Sequence, residues 1–139
     1  MTHKILSTLL VISWMFLIFM FSHQPATESA TLSGGIINTL ENLLNANLDF
    51  IHTPLRKGAH ITVYFFLGAF LVNMYCHYTN TPKTIIILAL ITSILYAISD
   101  ELHQTFIPGR SGEVLDVIYD TLGASFGIII MYYLKQRIK

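Results

Sequence analysis

Uncharged apolar residues fall into four blocks along the chain. Ile5–Ser22 carries no charge. Gly58–Cys76 has only His60 and Asn73 as strongly polar members. Thr84–Ser99 is uncharged between Lys83 and Asp100, and Val117–Leu134 is interrupted by one acid, Asp120. A helix needs about 17–25 residues to cross a bilayer core of about 30 Å. The blocks therefore predict spans near 5–22, 58–76, 84–102 and 116–134. The third reaches that length if Lys83 snorkels and the helix runs on past Asp100. The first block has His3 and Lys4 in front, as a signal peptide would. It is too long for a signal h-region, and Gln24–Ala30 offers no A-x-A site, so it reads as a retained span.

The connection between the first two spans has its own period. Ile36, Ile37, Leu40, Leu43, Leu44 and Leu48 recur at helical spacing, with Asn38, Thr39, Glu41, Asn42 and Asn45 opposite. This predicts an amphipathic helix over 35–48, on the membrane surface or across the helix ends, hinged at Gly34-Gly35. The expected fold is all-α: one polytopic membrane domain of four transmembrane helices, with that helix in the first extracytoplasmic connection.

Composition narrows the class further. The 139 residues hold eight Lys+Arg and eight Asp+Glu, a formal net charge of zero. Charged residues are 12%, about half the usual soluble share. Hydrophobic residues are 53%, and the mean hydropathy is +0.59. A disordered tail, an ordinary soluble enzyme and a nucleic-acid binder, which needs basic excess, are all excluded. The partner implied is the lipid bilayer, and no protein partner is inferred. Cys76 is a lone thiol, which reads as a small buried hydrophobe.

The charges also orient the spans. One side of a four-span bundle would hold Lys4, Lys83, Lys135, Arg137 and Lys139 and no acid. The other would hold Arg56, Lys57 and Arg110 with all eight acids. The positive-inside rule then puts both termini in the cytoplasm and the acids outside.

Polar chemistry gathers at the expected outer ends. His23 and Gln24 follow the first span. Arg56, His60 and Tyr64 share one helix face, with Lys57 at its border. Tyr96, Asp100, His103 and Gln104 are neighbours at spacings of three and four, and Glu101 lies among them. Ile107-Pro108-Gly109-Arg110 suits a type II turn, and Ser111 is placed to cap the fourth helix. Asp116, Asp120, Gly123 and Gly127 form one face, whose glycines admit a close neighbour. Asp120, about one turn inside the apolar block, costs about 2.5–3.5 kcal/mol on insertion scales, less near the interface, and so marks a functional site. Arg56, Lys57 and Arg110 read as an anion clamp, reinforced by a helix N-terminus at Ser111-Gly112. His60, His103, Asp100, Glu101, Asp116 and Asp120 are general acids and bases by type, and ligands for a divalent metal by type. No tight metal is expected if Arg56 and Lys57 neutralise the acids, and no cofactor is identified. The spacing matches no standard catalytic motif.

Ser22-His23-Gln24, Arg56-Lys57-x-x-His60-x-x-x-Tyr64-x-x-x-Gly68, Asp100-Glu101-x-His103-Gln104-x-Phe106-x-Pro108-Gly109-Arg110 and Asp116-x-x-x-Asp120-x-x-Gly123 together resemble the VanZ family, from about Phe21 to Gly127. The Asp100–Arg110 run is the most specific part. The resemblance implies a small protein of the bacterial cytoplasmic membrane, associated with low-level resistance to the lipoglycopeptide teicoplanin without change to its D-Ala-D-Ala target. Relatives often carry Asn at the position of Asp120, so the resemblance asks there for a hydrogen-bonding side chain.

Three function classes fit these residues. The first is an enzyme acting on a lipid-linked or phosphate-bearing envelope substrate at the outer leaflet. Arg56, Lys57 and Arg110 would hold the anion, His60, His103 and Asp100 would move protons, and a metal at Asp116 and Asp120 would offset their repulsion. The second is a binding module that sequesters a lipid or lipophilic antibiotic. The third is a proton-coupled transporter, disfavoured because the cytoplasmic halves of the spans carry no charge.

Overall fold

The computed structural model describes residues 2–25, 27, 31, 34–35, 43 and 52–137, with the backbone alone at 52, 53 and 55. Among them are four helices: α1 (Thr2–Ser22), α2 (His52–Tyr75), α3 (Pro82–Gln104) and α4 (Val114–Arg137). All four are long and apolar enough to cross a membrane, α2 through Arg56–Tyr75. The described residues contain no strand. The amphipathic helix expected over 35–48 lies outside the described residues, apart from Gly35 and Leu43.

Each helix outruns its apolar block because the polar ends stay helical. Pro54 falls in the first turn of α2, where a missing N–H removes no helical bond. Pro82 opens α3, and Thr81 before it is extended (φ −81°, ψ 112°), as a residue preceding proline tends to be. The third helix does continue past Asp100, to Gln104. Asp116 in the first turn of α4 and Lys135 and Arg137 in its last turn match the helix dipole.

The chain runs up and down, so the end of α1, the start of α2, the end of α3 and the start of α4 meet at one end. α2 and α4 pack most closely, and glycines are the reason. A Cβ at Gly123 would fall on the Ile61 carbonyl, one at Gly127 on the Phe65 carbonyl, and one at Gly68 on the Ala124 carbonyl. The close neighbour expected for the Gly123–Gly127 face is α2, which returns the contact through Gly68. Beside this seam Leu67, Leu71, Val72, Ala89, Ala97, Ala124 and Ile128 form the core. α1 joins through Trp14, whose indole N–H donates to the Val63 carbonyl (2.8 Å) and whose ring meets Phe66 and Phe70 edge-on. The outer surface is apolar on every helix, with Leu6, Phe16, Leu95, Leu122 and Phe126 exposed. That arrangement suits lipid. Cys76 is half-buried against the core.

Overpacking a close helix seam typically costs about 1–3 kcal/mol. Gly123→Ala and Gly127→Ala are therefore expected to lower the melting temperature of the detergent-purified protein. Gly58→Ala, where nothing lies within 4 Å of the added carbon, should leave it unchanged or raise it. Equal melting temperatures for all three would show that α2 and α4 are not in backbone contact.

Candidate functional site

The polar end of the bundle divides into an outer tier of ion pairs and an inner buried cluster. In the outer tier, Arg56 on α2 reaches Asp116 (3.6 Å) and Glu113 (3.9 Å), and Lys57 reaches Asp116 (3.4 Å) and Glu113 (3.8 Å). Asp116 is buried, whereas the Glu113 side chain is 41% exposed. Lys57 also lies over the Tyr119 ring, 4.7 Å from its centroid. The second turn of α2 is thus pinned to the start of α4 by charge.

The inner cluster lies one turn deeper. His60 on α2, Asp100 and Glu101 on α3, and Asp120 on α4 each place one ligand-type atom so that all lie within 4.8 Å of one another. Asp120 is wholly buried, and Asp100 and Glu101 nearly so. His60 Nδ1 stands 3.4 Å from Asp120 Oδ1, an ion-pair contact rather than a hydrogen bond. The Ser22 hydroxyl at the end of α1 donates to Asp100 Oδ2 (2.9 Å). Glu101 accepts from Gln104 Nε2 (3.0 Å) and from the Glu113 backbone N–H (2.8 Å). Beyond the His60–Asp120 ion pair, His60 Nδ1, both oxygens of Asp120 and the hydroxyl of fully buried Tyr64 have no hydrogen-bond partner.

The Ile107–Arg110 turn has the expected form. Gly109 sits at φ 76° and the Arg110 N–H donates to the Ile107 carbonyl (3.1 Å), as a type II turn requires. The chain then passes directly over the end of α3, where a Cβ at Gly112 would meet the Glu101 carbonyl at 2.6 Å. This corrects the capping expectation. α4 begins at Val114 rather than at Ser111-Gly112, Ser111 is exposed, and the Glu101 carboxylate takes the N–H of Glu113 from across the bundle.

The expected clamp also divides. Arg56 and Lys57 stay together, but Arg110 donates to Gln104 Oε1 (3.2 Å) and the Phe21 carbonyl (3.3 Å). Burial, and after it the neighbouring Arg56 charge, push the Arg110 guanidinium below its ordinary value, though an arginine remains charged. His103 leaves the Asp100 group and pairs with His23, Nε2 to Nδ1 at 3.1 Å, the two rings flanking Phe19. Gln24 donates its N–H to the Phe21 carbonyl (3.4 Å), with no side-chain hydrogen bond among the described residues. Tyr96 turns its hydroxyl away to the Met15 carbonyl of α1. Two roles were not foreseen: Ser22 as the hydrogen-bond donor to Asp100, and Glu113 as a backbone donor. A serine at the exit of an apolar helix was the available signal for the first.

Partly buried ion pairs fall between the roughly 0–1 kcal/mol of exposed pairs and the 3–5 kcal/mol lost when a buried pair is broken. Asp116→Ala should therefore destabilise the protein by about 1–3 kcal/mol in a reversible unfolding assay. Glu113→Ala, which loses only long, exposed contacts, should fall within about 0.5 kcal/mol of wild type. Equal losses would place the two acids in one environment.

No curated protein and no solved structure matches the chain. A family model described as VanZ/LLP1 matches residues 7–135, taking in all four helices and every residue of the two tiers. With its four membrane-spanning helices and this polar end, the chain belongs to the VanZ/LLP1 family.

Proposed function

We propose that this protein acts at the outer leaflet of the bacterial cytoplasmic membrane on a lipid-linked or otherwise anionic envelope substrate, with both termini in the cytoplasm. The observation that carries this reading is the inner cluster. Three buried carboxylates and a partly buried histidine within 4.8 Å of one another add little net stability to an apolar bundle, because desolvation offsets their attraction. Groups of this kind inside a membrane protein are functional by default.

The parts divide the work. Arg56 and Lys57 receive the anionic head group. Glu113, half-exposed and 3.8–3.9 Å away, is their weaker partner and gives way to phosphate, while Asp116 keeps both cations aligned. Once the anion is seated, His60 lies one helical turn below Arg56 and transfers a proton, with Asp100 and Glu101 setting the charge around it. Asp100 is steadied by Ser22, and Glu101 by Gln104. The family's link to teicoplanin, a lipidated glycopeptide, fits a change in the envelope surface that such an antibiotic meets.

The test compares envelope lipids and cell-wall precursors by mass spectrometry in cells with and without the protein, alongside teicoplanin susceptibility. The wild type should change one anionic species. His60→Ala and Asp100→Asn should abolish that change at normal protein abundance, since losing an acid–base group costs about 10²–10⁴ in rate. Asp120→Asn should be tolerated. An unchanged lipid profile, or full activity in both variants, would remove the cluster from any reaction.

Orientation has its own check. In a Cys76→Ser background, Phe106→Cys beside the site should react with a membrane-impermeant thiol reagent in intact cells. Tyr78→Cys at the opposite end, exposed like Phe106, should not. The reverse labelling would put the site in the cytoplasm.

A further inference from the structure

We infer that His60, Asp100, Glu101 and Asp120 form a binding site for one divalent transition-metal ion of the Zn²⁺ or Mn²⁺ type, buried at the polar end of the bundle.

The geometry is the first ground. Ligand atoms bond such ions at about 2.0–2.2 Å, so neighbours around a four-coordinate ion stand roughly 3.4 Å apart. The four residues each offer an atom with none farther than 4.8 Å from another. Closure onto an ion needs each atom to move inward by up to about 1 Å, which side-chain rotation supplies.

Charge is the second ground. Arg56 and Lys57 pair with Asp116 and Glu113. Among the described residues, no Lys or Arg pairs with Asp100, Glu101 or Asp120, whose cationic partner by type is His60 alone. Arg56 and Lys57 pair with the outer-tier acids and not with the inner ones, so the condition under which no tight metal is expected is met only in the outer tier. A metal at Asp116 and Asp120 is also set aside, because these two acids belong to different tiers. A dication among three carboxylates removes most of their mutual repulsion.

The unpaired atoms are the third and independent ground. Tyr64 is fully buried and its hydroxyl has no partner. It lies one turn beyond His60 on the same helix face, within electrostatic reach of Asp100, Glu101 and Asp120. Both oxygens of wholly buried Asp120 and Nδ1 of His60 are likewise free of hydrogen bonds. Buried polar groups normally find partners. The free atoms of His60 and Asp120 belong to residues of the four-residue group, and the Tyr64 hydroxyl is left without a partner beside it.

The surroundings complete the site. Coordinating carboxylates are oriented by hydrogen bonds from a second layer of side chains. Ser22 holds one oxygen of Asp100, and Gln104 with the Glu113 N–H holds Glu101. One imidazole with three carboxylates and no thiolate favours Zn²⁺ or Mn²⁺ over the softer ions, and over Mg²⁺ and Ca²⁺, which prefer oxygen alone. A bound ion would take His60 as a ligand in place of the proton-transfer role proposed above; the site needs no substrate, so its test stands apart from any reaction the protein performs.

The test loads full-length protein, purified in detergent and stripped with chelator, with Zn²⁺, Mn²⁺ or Co²⁺ and measures metal retained per chain after desalting. Wild type should retain one equivalent. The Co²⁺ form should show visible ligand-field bands that Zn²⁺ displaces. Ser22→Ala should weaken affinity by about 10–100-fold, the usual effect of removing an orienting partner. His60→Ala and Asp120→Ala should abolish retention while Asp116→Asn leaves it intact. The proposal is overturned by wild-type protein that takes up none of the three ions saturably. It is overturned equally by Mg²⁺ or Ca²⁺ binding in preference to all three, or by undiminished retention in folded His60→Ala. Because the wild-type result alone decides the first point, a variant that fails to fold leaves the test standing.

Discussion

The backbone contact between α2 and α4 is the constraint on which the site depends. Gly123 lies under the Ile61 carbonyl and Gly127 under that of Phe65, so the two helices are closer than side chains would allow. His60 precedes Ile61, and Asp120 lies three residues before Gly123. Their meeting at 3.4 Å is fixed by the seam. A larger residue at either glycine would part the helices and, with them, the histidine and its carboxylate. Membrane helices gain little from apolar burial against one another, so close packing of small residues carries much of the association.

The two polar tiers have different energetic character. Arg56 and Lys57 make long pairs with half-exposed Glu113, of the kind that contribute little and exchange readily, and closer ones with buried Asp116. Asp100, Glu101 and Asp120 are buried, with His60 partly so, and a well-packed apolar set of similar volume would stabilise the bundle more. The loop that carries Gly112 over Glu101 ties the two tiers together, because Glu113 contributes its side chain to the first tier and its N–H to the second.

Much of this was legible in the sequence because it rests on periodicity. Four apolar blocks gave four helices, and the Gly123–Gly127 face gave the seam. Pro108-Gly109 gave a turn with Gly109 at positive φ. Spacing of four also put His60 with Tyr64 on one face, and Glu101 directly follows Asp100. It failed where several residues share a helix end. His103 is three residues from Asp100, yet the rotation of α3 turns it to His23 and Phe19. Arg110 carries the right charge for the clamp, but the turn delivers it to Gln104 and the Phe21 carbonyl. Ser111 is a good capping residue by type, and the cap was lost because the Glu101 carboxylate reaches the Glu113 N–H first. Which face of a helix meets which neighbour is decided by tertiary packing, and a lone sequence does not record it.

The seam also has a consequence for biosynthesis. α2 is the least apolar of the four spans and bears Arg56, Lys57 and His60, yet its tightest partner is the last helix to leave the ribosome. Between the synthesis of α2 and that of α4, the flat face around Gly68 has no matching surface. α1 precedes α2 in the chain and offers Trp14, whose indole N–H donates to the Val63 carbonyl and whose ring meets Phe66 and Phe70 edge-on. The first helix, which lends the polar end little beyond Ser22 and His23, thereby acts as a placeholder in assembly, holding a marginal helix in the bilayer until its permanent neighbour arrives.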